Sequence, residues 1–238
     1  MKRLSLILVF GIYMLIFSCT PKEKLNTLTK REIDEGWELL FDGTSASLHS
    51  LWKAFNGGEV TGWRAENGIL YNSGVGSDHG GDIITKADFK DFELYLEWKI
   101  DSQSNSGIFY HVQEGLTDAI YESGPEYQLI DDNGWPEDLE DYQLSGSNYG
   151  MHAPIDARVV PLEEWNSSRI VVNGPHVEHW LNGTKVVEYE LWTPEWKELK
   201  AGSKWAESPY YGIAKSGHIG LQDHGGLTMF RNIKVRKL

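Results

Sequence analysis

The 238-residue chain predicts an all-β fold, a two-sheet antiparallel β-sandwich. Three features carry this prediction. Short segments alternate apolar and polar residues along most of the chain, turn residues separate them at regular spacing, and helical periodicity is nearly absent. The composition agrees, with 25 glycines and 10 tryptophans.

The clearest strand runs from Phe92 to Ile100. Phe92, Leu94, Leu96, Trp98 and Ile100 share one face, and Glu93, Tyr95, Glu97 and Lys99 the other, as a half-buried strand requires. Gly68–Tyr71 and Asp82–Lys86 read as strands before it, Gly107–Val112 and Glu126–Ile130 after it. Asn166–Val172, His176–Leu181 and Lys185–Tyr189 are separated by Asn173-Gly174 and Asn182-Gly183, so residues 166–189 predict a three-stranded meander. His218–Gln222 and Phe230–Arg236 close the series, and Pro194 to Leu199 allows one short turn of helix. The loops 72–81, 131–158 and 190–216 are too long for simple turns. Loops of this length in a compact domain commonly build a binding site.

The chain opens Met1-Lys2-Arg3, runs apolar from Leu4 to Phe17 and reaches Ser18-Cys19 before the polar Thr20-Pro21-Lys22. A basic start, an apolar stretch of about 14 residues and a small residue at the cut describe an export signal, shorter than the about 20 residues of a membrane-spanning helix. Cys19 is the only cysteine, and Ile16-Phe17-Ser18-Cys19 resembles a bacterial lipobox. We therefore expect residues 1–18 to be a lipoprotein signal peptide, Cys19 the lipid attachment site, 19–34 a tether and 35–238 the folded domain. The protein would then sit in the cell envelope, in the periplasm or at the outer membrane, touching membrane only through its lipid.

The formal charge is −13, and losing Lys2 and Arg3 with residues 1–18 makes it −13 − 2 = −15. So acidic a surface excludes nucleic acid as a partner, because phosphate binding needs clustered Lys and Arg. Polyanionic sugars are disfavoured for the same reason. Without a second cysteine, the core alone must hold the domain.

Residues able to do chemistry gather in a few places. On Glu126-Tyr127-Gln128-Leu129-Ile130, alternation sends Tyr127 and Leu129 to the core and Glu126 and Gln128 to the opposite face. Gln222-Asp223-His224 leaves the end of a strand and turns on Gly225-Gly226, which places an amide, an acid and an imidazole at a sheet rim. Tyr149 and His152 sit in the 131–158 loop as contacts for a ligand, and Asn105 opens a strand with an amide suited to sugar hydroxyls. Trp180 has the opposite parity to Val177, His179 and Leu181, so one set fills the core and the other faces outward. Lys86 and Arg64 are basic residues able to polarise a carbonyl oxygen, although single basic residues on strands are usually solvated. No HExxH or EF-hand spacing is present. A divalent ion held by Glu126, His152, Asp223 and His224 remains an open alternative to a metal-free site.

The segments GWELLFDGTS (36–45), GGDIITKADFKDFELYLEW (80–98), NSGIFY (105–110), EYQLID (126–131), VEHWLNG (177–183) and GLQDHGG (220–226) occur together and in order. In this the chain resembles the 3-keto-disaccharide hydrolase domain family. The resemblance implies a concanavalin A-like jelly roll of lectin/glucanase type, with a concave face that holds sugar. It also implies action on glycosides whose C3 hydroxyl a separate glycoside 3-dehydrogenase has oxidised to a ketone.

Such a substrate sets its own requirements. The ketone acidifies the C2 hydrogen, the enolate expels the C1 aglycone, and water adds to the enone to give net hydrolysis. The site needs a base at C2, an electrophile at the C3 oxygen and a proton donor for the leaving oxygen. Glu126, Gln128 and His224 are the catalytic candidates, Glu126 and His224 for proton transfer and Gln128 for positioning the sugar beside them. Asn105, Tyr149, His152, Trp180, Asp223 and Lys86 are the candidates for substrate contact. A non-catalytic carbohydrate-binding sandwich is the alternative. An ordinary retaining glycosidase of this fold is disfavoured, because Gln128 stands where its strand of alternating carboxylates needs the middle acid.

Overall fold

The computed structural model describes residues 24–72 and 81–238. The expected signal peptide, Cys19 and residues 73–80 of the first long loop lie outside the described residues. The strands are β1 (Trp37–Leu39), β2 (Trp52–Ala54), β3 (Arg64–Glu66), β4 (Ile69–Tyr71), β5 (Ile83–Thr85), β6 (Phe92–Ile100) and β7 (Asn105–Val112). They continue with β8 (Glu126–Ile130), β9 (Asn166–Asn173), β10 (His176–Leu181), β11 (Thr184–Glu190), β12 (His218–Leu221) and β13 (Thr228–Lys237). Among the described residues three short α-helices accompany them: α1 (Lys30–Asp34), α2 (Ser45–Leu51) and α3 (Pro194–Ala201).

All pairings are antiparallel, and they form two sheets. The larger runs β11-β10-β9-β6-β13-β4-β3, with β1 also on β13; the smaller runs β2-β5-β12-β7-β8. The two pack face to face as the expected sandwich. The 166–189 meander is present, its second reversal at Asn182 and Gly183, both at positive φ (49° and 81°) as a tight hairpin demands. Its first reversal uses Gly174 and Pro175, because Asn173 itself pairs with His176. Strands β1, β2 and β3, each three residues long, were not foreseen: they lack the run of β-branched or apolar residues that marks β4 and β5 at the same length.

Between the sheets lies one large core. Phe92, Leu94, Leu96, Trp98 and Ile100 of β6 meet Ile108 and Tyr110 of β7 and Tyr127 and Leu129 of β8. Val177, His179 and Leu181 of β10 are the inward set, which leaves Trp180 on the outer face. There Trp180 lies under the Arg169 guanidinium and donates to Glu178. A buried histidine in an apolar core must be neutral and fully bonded. His179 meets both conditions: Nδ1–H donates to the Gly146 carbonyl at 3.0 Å, and Nε2 accepts from the Tyr110 hydroxyl at 3.1 Å, which also bonds Tyr189. Burial depresses its pKa to about 3.

β8 ends the smaller sheet, so one of its backbone edges has no strand partner. The chain from Ser145 to Tyr149 seals it. The Gly146 N–H donates to the Gln128 carbonyl, the Gln128 N–H to Ser147, the Tyr149 N–H to Glu126, and the Ile130 N–H to the Ser145 hydroxyl. Covering an edge removes a site for unwanted pairing. Here it also encloses the outward side chains of β8.

From Lys24 onward the expected tether is docked on the domain. Asn26 and Asn232 exchange backbone-to-side-chain bonds at 2.6 and 2.8 Å, Asn26 Nδ2 donates to the Gly68 carbonyl at 2.7 Å, and Glu32 on α1 pairs with Lys234 of β13. Among the described residues no helix is long and apolar enough to cross a membrane.

Phe230, fully buried on the central strand β13, packs against Trp63 with ring centroids 5.9 Å apart. Phe230→Ala opens a cavity in the middle of the core. We expect it to cost about 3–5 kcal/mol in urea unfolding. A loss below about 1 kcal/mol would contradict this packing.

Candidate active site

The outer face of the smaller sheet carries the site. Glu126 and Gln128 project from β8, Asn105 from the start of β7, and Gln222 from the end of β12. Gly107, opposite Gln128 in the register, leaves room for the Glu126 carboxyl, which a Cβ there would strike. With its amide turned to suit its neighbours, Gln128 donates to Glu126 Oε1 at 3.0 Å and to the Ser106 carbonyl at 3.2 Å. Residues 222–225 extend β12 along β7: the Gln222 N–H bonds the Gly107 carbonyl, Ser106 Oγ the Gln222 carbonyl, and the Asn105 N–H the Gly225 carbonyl. His224 is thereby held exposed at the rim. The chain then turns at Gly226, whose φ of 74° and contact with Ser104 both exclude a side chain.

The two long loops supply the opposite wall. Trp205 donates from its indole to the Tyr149 carbonyl at 2.9 Å and stacks on Tyr211 at 4.4 Å. The Lys204 ammonium lies 4.4 Å above the Tyr149 ring and 4.6 Å above that of Trp205. Tyr121 completes the enclosure. The recess has a volume of about 240 Å³ and is lined by Asn105, Tyr121, Glu126, Gln128, Tyr149, Lys204, Trp205, Gln222 and His224. That is below the ~300–1,000 Å³ of drug-sized ligand sites and suits one sugar ring. Two acceptors in its wall, Asn105 Oδ1 and Gln222 Oε1, are buried with no hydrogen-bond partner among the described residues. Acceptors left in this state favour a ligand rich in hydroxyl donors.

Burial dominates the electrostatics. Glu126 is pushed up to about 8 by desolvation, a shift that the nearby Lys204 charge opposes and the Asp82 charge reinforces. Asp82 is itself raised to about 7, chiefly by burial, against a hydrogen bond from the Asp223 N–H and with repulsion from the Asp223 carboxylate. Asp223 in turn accepts from Asn72 Nδ2 at 3.0 Å. Burial thus raises two carboxyl groups, Glu126 and Asp82, and the Lys204 charge acts against the rise at Glu126.

Of the residues expected from the sequence, Asn105, Glu126, Gln128, Tyr149 and His224 line this recess. Asp223 lies behind it, 1% exposed. Three stand elsewhere. His152 stacks on Tyr189 at 4.4 Å and bonds Asn148, with its pKa lowered to about 4 by burial. Trp180 occupies the far face of the larger sheet, and Lys86 donates to the His49 carbonyl at 2.7 Å. Tyr121, Lys204 and Trp205 were missed because loop residues carry no periodicity. Asp82 was missed as a functional residue although it sits at the foot of the Gly-Gly-Asp segment that precedes β5.

Among the described residues, one set of three His or acid side chains brings its ligand atoms within 4.8 Å: His176, Glu178 and Glu188. It lies on the outer face of the larger sheet, where Lys185 already pairs with Glu188 at 2.7 Å and Glu178 at 3.3 Å. Glu126, His152, Asp223 and His224 do not form such a set, His152 being turned to Tyr189.

Two antiparallel sheets packed face to face, with an acid, amides, a cation and aromatics gathered in a recess on the outer face of one, define a β-sandwich protein with a polar, ring-lined site. The chain belongs to the 3-keto-alpha-glucoside-1,2-lyase-like domain family, whose model matches residues 36–236. It is 33% identical over 232 residues to the 3-keto-disaccharide hydrolase of Bacteroides thetaiotaomicron, a match covering 86% of this chain and 79% of that protein. A crystal structure from Parabacteroides distasonis, of a protein ascribed to the glycosyl hydrolases, superposes with a TM-score of 0.84 at 42% identity, over 90% of this chain and all 100% of that one. A second from the same organism gives a TM-score of 0.62 at 28% identity, over 79% and 99% of the two chains.

The raised Glu126 pKa has a consequence for stability. The folded state keeps a proton that the unfolded chain gives up near the ordinary value of 4.5, so this contribution to stability falls as pH rises from about 4.5 through about 8. Glu126→Gln removes the titration. We expect the urea unfolding free energy to decline less steeply between pH 5 and 8 in this variant than in the wild type. Equal slopes would contradict a buried, protonated Glu126.

Proposed function

We propose that this protein cleaves 3-keto-glycosides, 3-keto-disaccharides among them, by removing the C2 proton and eliminating the C1 substituent. The observation that carries this reading is Glu126, a buried carboxyl titrating near 8 in a recess with two unpartnered hydroxyl-seeking acceptors. A carboxylate's strength as a base toward a carbon acid grows with its pKa. A pKa of about 8 makes the carboxylate a stronger base while leaving about a tenth of it ionised at pH 7. The family and the B. thetaiotaomicron relative supply the substrate class.

In this mechanism the Glu126 carboxylate takes the C2 proton, and the C2–H electron pair delocalises to the C3 oxygen as an enolate. Gln128 fixes the carboxylate by its bond to Oε1, and the Lys204 ammonium neutralises the charge growing on the C3 oxygen. The enolate then re-forms the ketone with a C1–C2 double bond. The C1–O bond breaks, its electron pair leaves on the aglycone oxygen, and His224 at the rim protonates that oxygen. Adding water to C1 and a proton to C2 of the enone completes a net hydrolysis. Asn105 and Gln222 accept hydrogen bonds from the ring hydroxyls.

The substrate requires a separate glycoside 3-dehydrogenase that oxidises the C3 hydroxyl. We place the enzyme in the cell envelope, held by lipid on Cys19, on the strength of the leader and lipobox pattern.

Incubating the purified protein with a 3-keto-glucoside and with its parent glucoside tests the proposal. We expect aglycone release from the keto sugar alone. Glu126→Gln should lower kcat by about 10²–10⁴-fold with the fold intact by circular dichroism. With an activated aryl leaving group, which needs no proton from His224, the wild-type kcat/KM should rise with pH up to about 8 as Glu126 ionises. A kcat/KM that falls across that range would assign Glu126 as the proton donor instead. Sugar binding without turnover would refute the enzyme and leave a binding module.

A further inference from the structure

A second cavity, about 720 Å³ in volume, adjoins the acid recess. The two share Tyr149 and Lys204, which line both. Tyr149 is tied to both sides. Its N–H bonds the carbonyl of Glu126, and its hydroxyl accepts from Gln143 Nε2 at 3.3 Å. The larger cavity is therefore one residue away from the proposed base.

Its far wall is one face of α3. Glu195, Glu198, Leu199 and Gly202 follow the i, i+3, i+4, i+7 spacing of a single helical stripe, while Trp196 anchors the helix in the core on the other side. The 3₁₀ turn Asp141–Gln143 brings Tyr142 and Gln143 to the opposite wall, and the Gly150 N–H fixes it through the Tyr142 carbonyl. Leu199 and Tyr142 are 39% and 43% exposed, so this wall leaves apolar surface in contact with solvent. Aromatic and apolar surface set among carboxylates and an amide suits a pyranose, which stacks its C–H face on a ring and donates its hydroxyls to acceptors. Two glutamates oppose an anionic occupant.

We propose that this cavity is the leaving-group subsite, taking a neutral sugar residue released from C1 while the 3-keto ring occupies the acid recess. The assignment rests on the cleavage reaction proposed above. It sends the aglycone past Tyr149 and Lys204, which line both cavities, and accounts for the size difference: one ring on the keto side, and room for one sugar or more beyond it.

The test compares a 3-keto-disaccharide with methyl 3-keto-glucoside, whose leaving group is too small to reach α3. Leu199→Trp, at a half-exposed helix position, fills the cavity, and Glu198→Ala removes an acceptor from it. We expect Leu199→Trp to lower kcat/KM for the disaccharide at least about 10-fold relative to the methyl glycoside. Glu198→Ala should do so about 3- to 10-fold, mostly through KM. If both substrates change together, or neither changes, the subsite assignment falls while the cleavage reaction stands. If the wild type releases neither leaving group, the cleavage reaction itself falls, and the subsite with it.

Discussion

The structure of the site depends on how the open edge of β8 is closed. A terminal strand normally leaves a row of N–H and carbonyl groups to water, and its outward side chains are solvated. Here residues 145–149 pair with that edge, and they are held from below by His179, whose Nδ1–H bonds the Gly146 carbonyl from inside the core. The same chain then delivers Tyr149 beside Glu126. A buried neutral histidine on the larger sheet thus fixes a loop on the smaller one. The result is a carboxyl group taken out of water without any covalent constraint.

Everything electrostatic in the site follows from that enclosure. Desolvation is the largest influence on Glu126, and the charges of Lys204 and Asp82 act on it in opposite directions. The residues behind it extend the same design. Asn72 bonds Asp223, the Gly226 carbonyl and the Thr228 N–H, so one amide locks the turn that carries His224. Trp205, Tyr211 and Trp196 stack in series and tie the 190–216 loop to the core, which keeps Lys204 in place. The chemistry sits on loops, but each loop is bolted to a sheet.

Much of this was legible in the sequence where a strand has two different faces. β6 and β8 alternate cleanly, so the core set Phe92 to Ile100 and the outward pair Glu126 and Gln128 were assigned before the structure was known. β5 was different: Ile83-Ile84-Thr85 has no apolar–polar alternation, so its pattern specifies no face, and Lys86 just after it bonds the His49 carbonyl. The parity of β10 left two choices open, and burial chose Val177, His179 and Leu181 for the core. Lys204 and Trp205 were out of reach, because they enter the recess through a loop whose path depends on distant stacking. His152 was placed in the correct loop, but that loop turns it inward onto Tyr189.

The central claim is that the recess removes the proton at C2 of a 3-keto sugar. The most direct measurement is solvent exchange at that carbon. In heavy water, with the reaction stopped early, residual 3-keto-glucoside and released 3-keto-glucose would be analysed by proton NMR and mass spectrometry. The account predicts deuterium at C2 of the released sugar, none in parent glucoside treated alike, and loss of incorporation in Glu126→Gln. Aglycone release with C2 still fully protonated would contradict it and would point to direct displacement at C1.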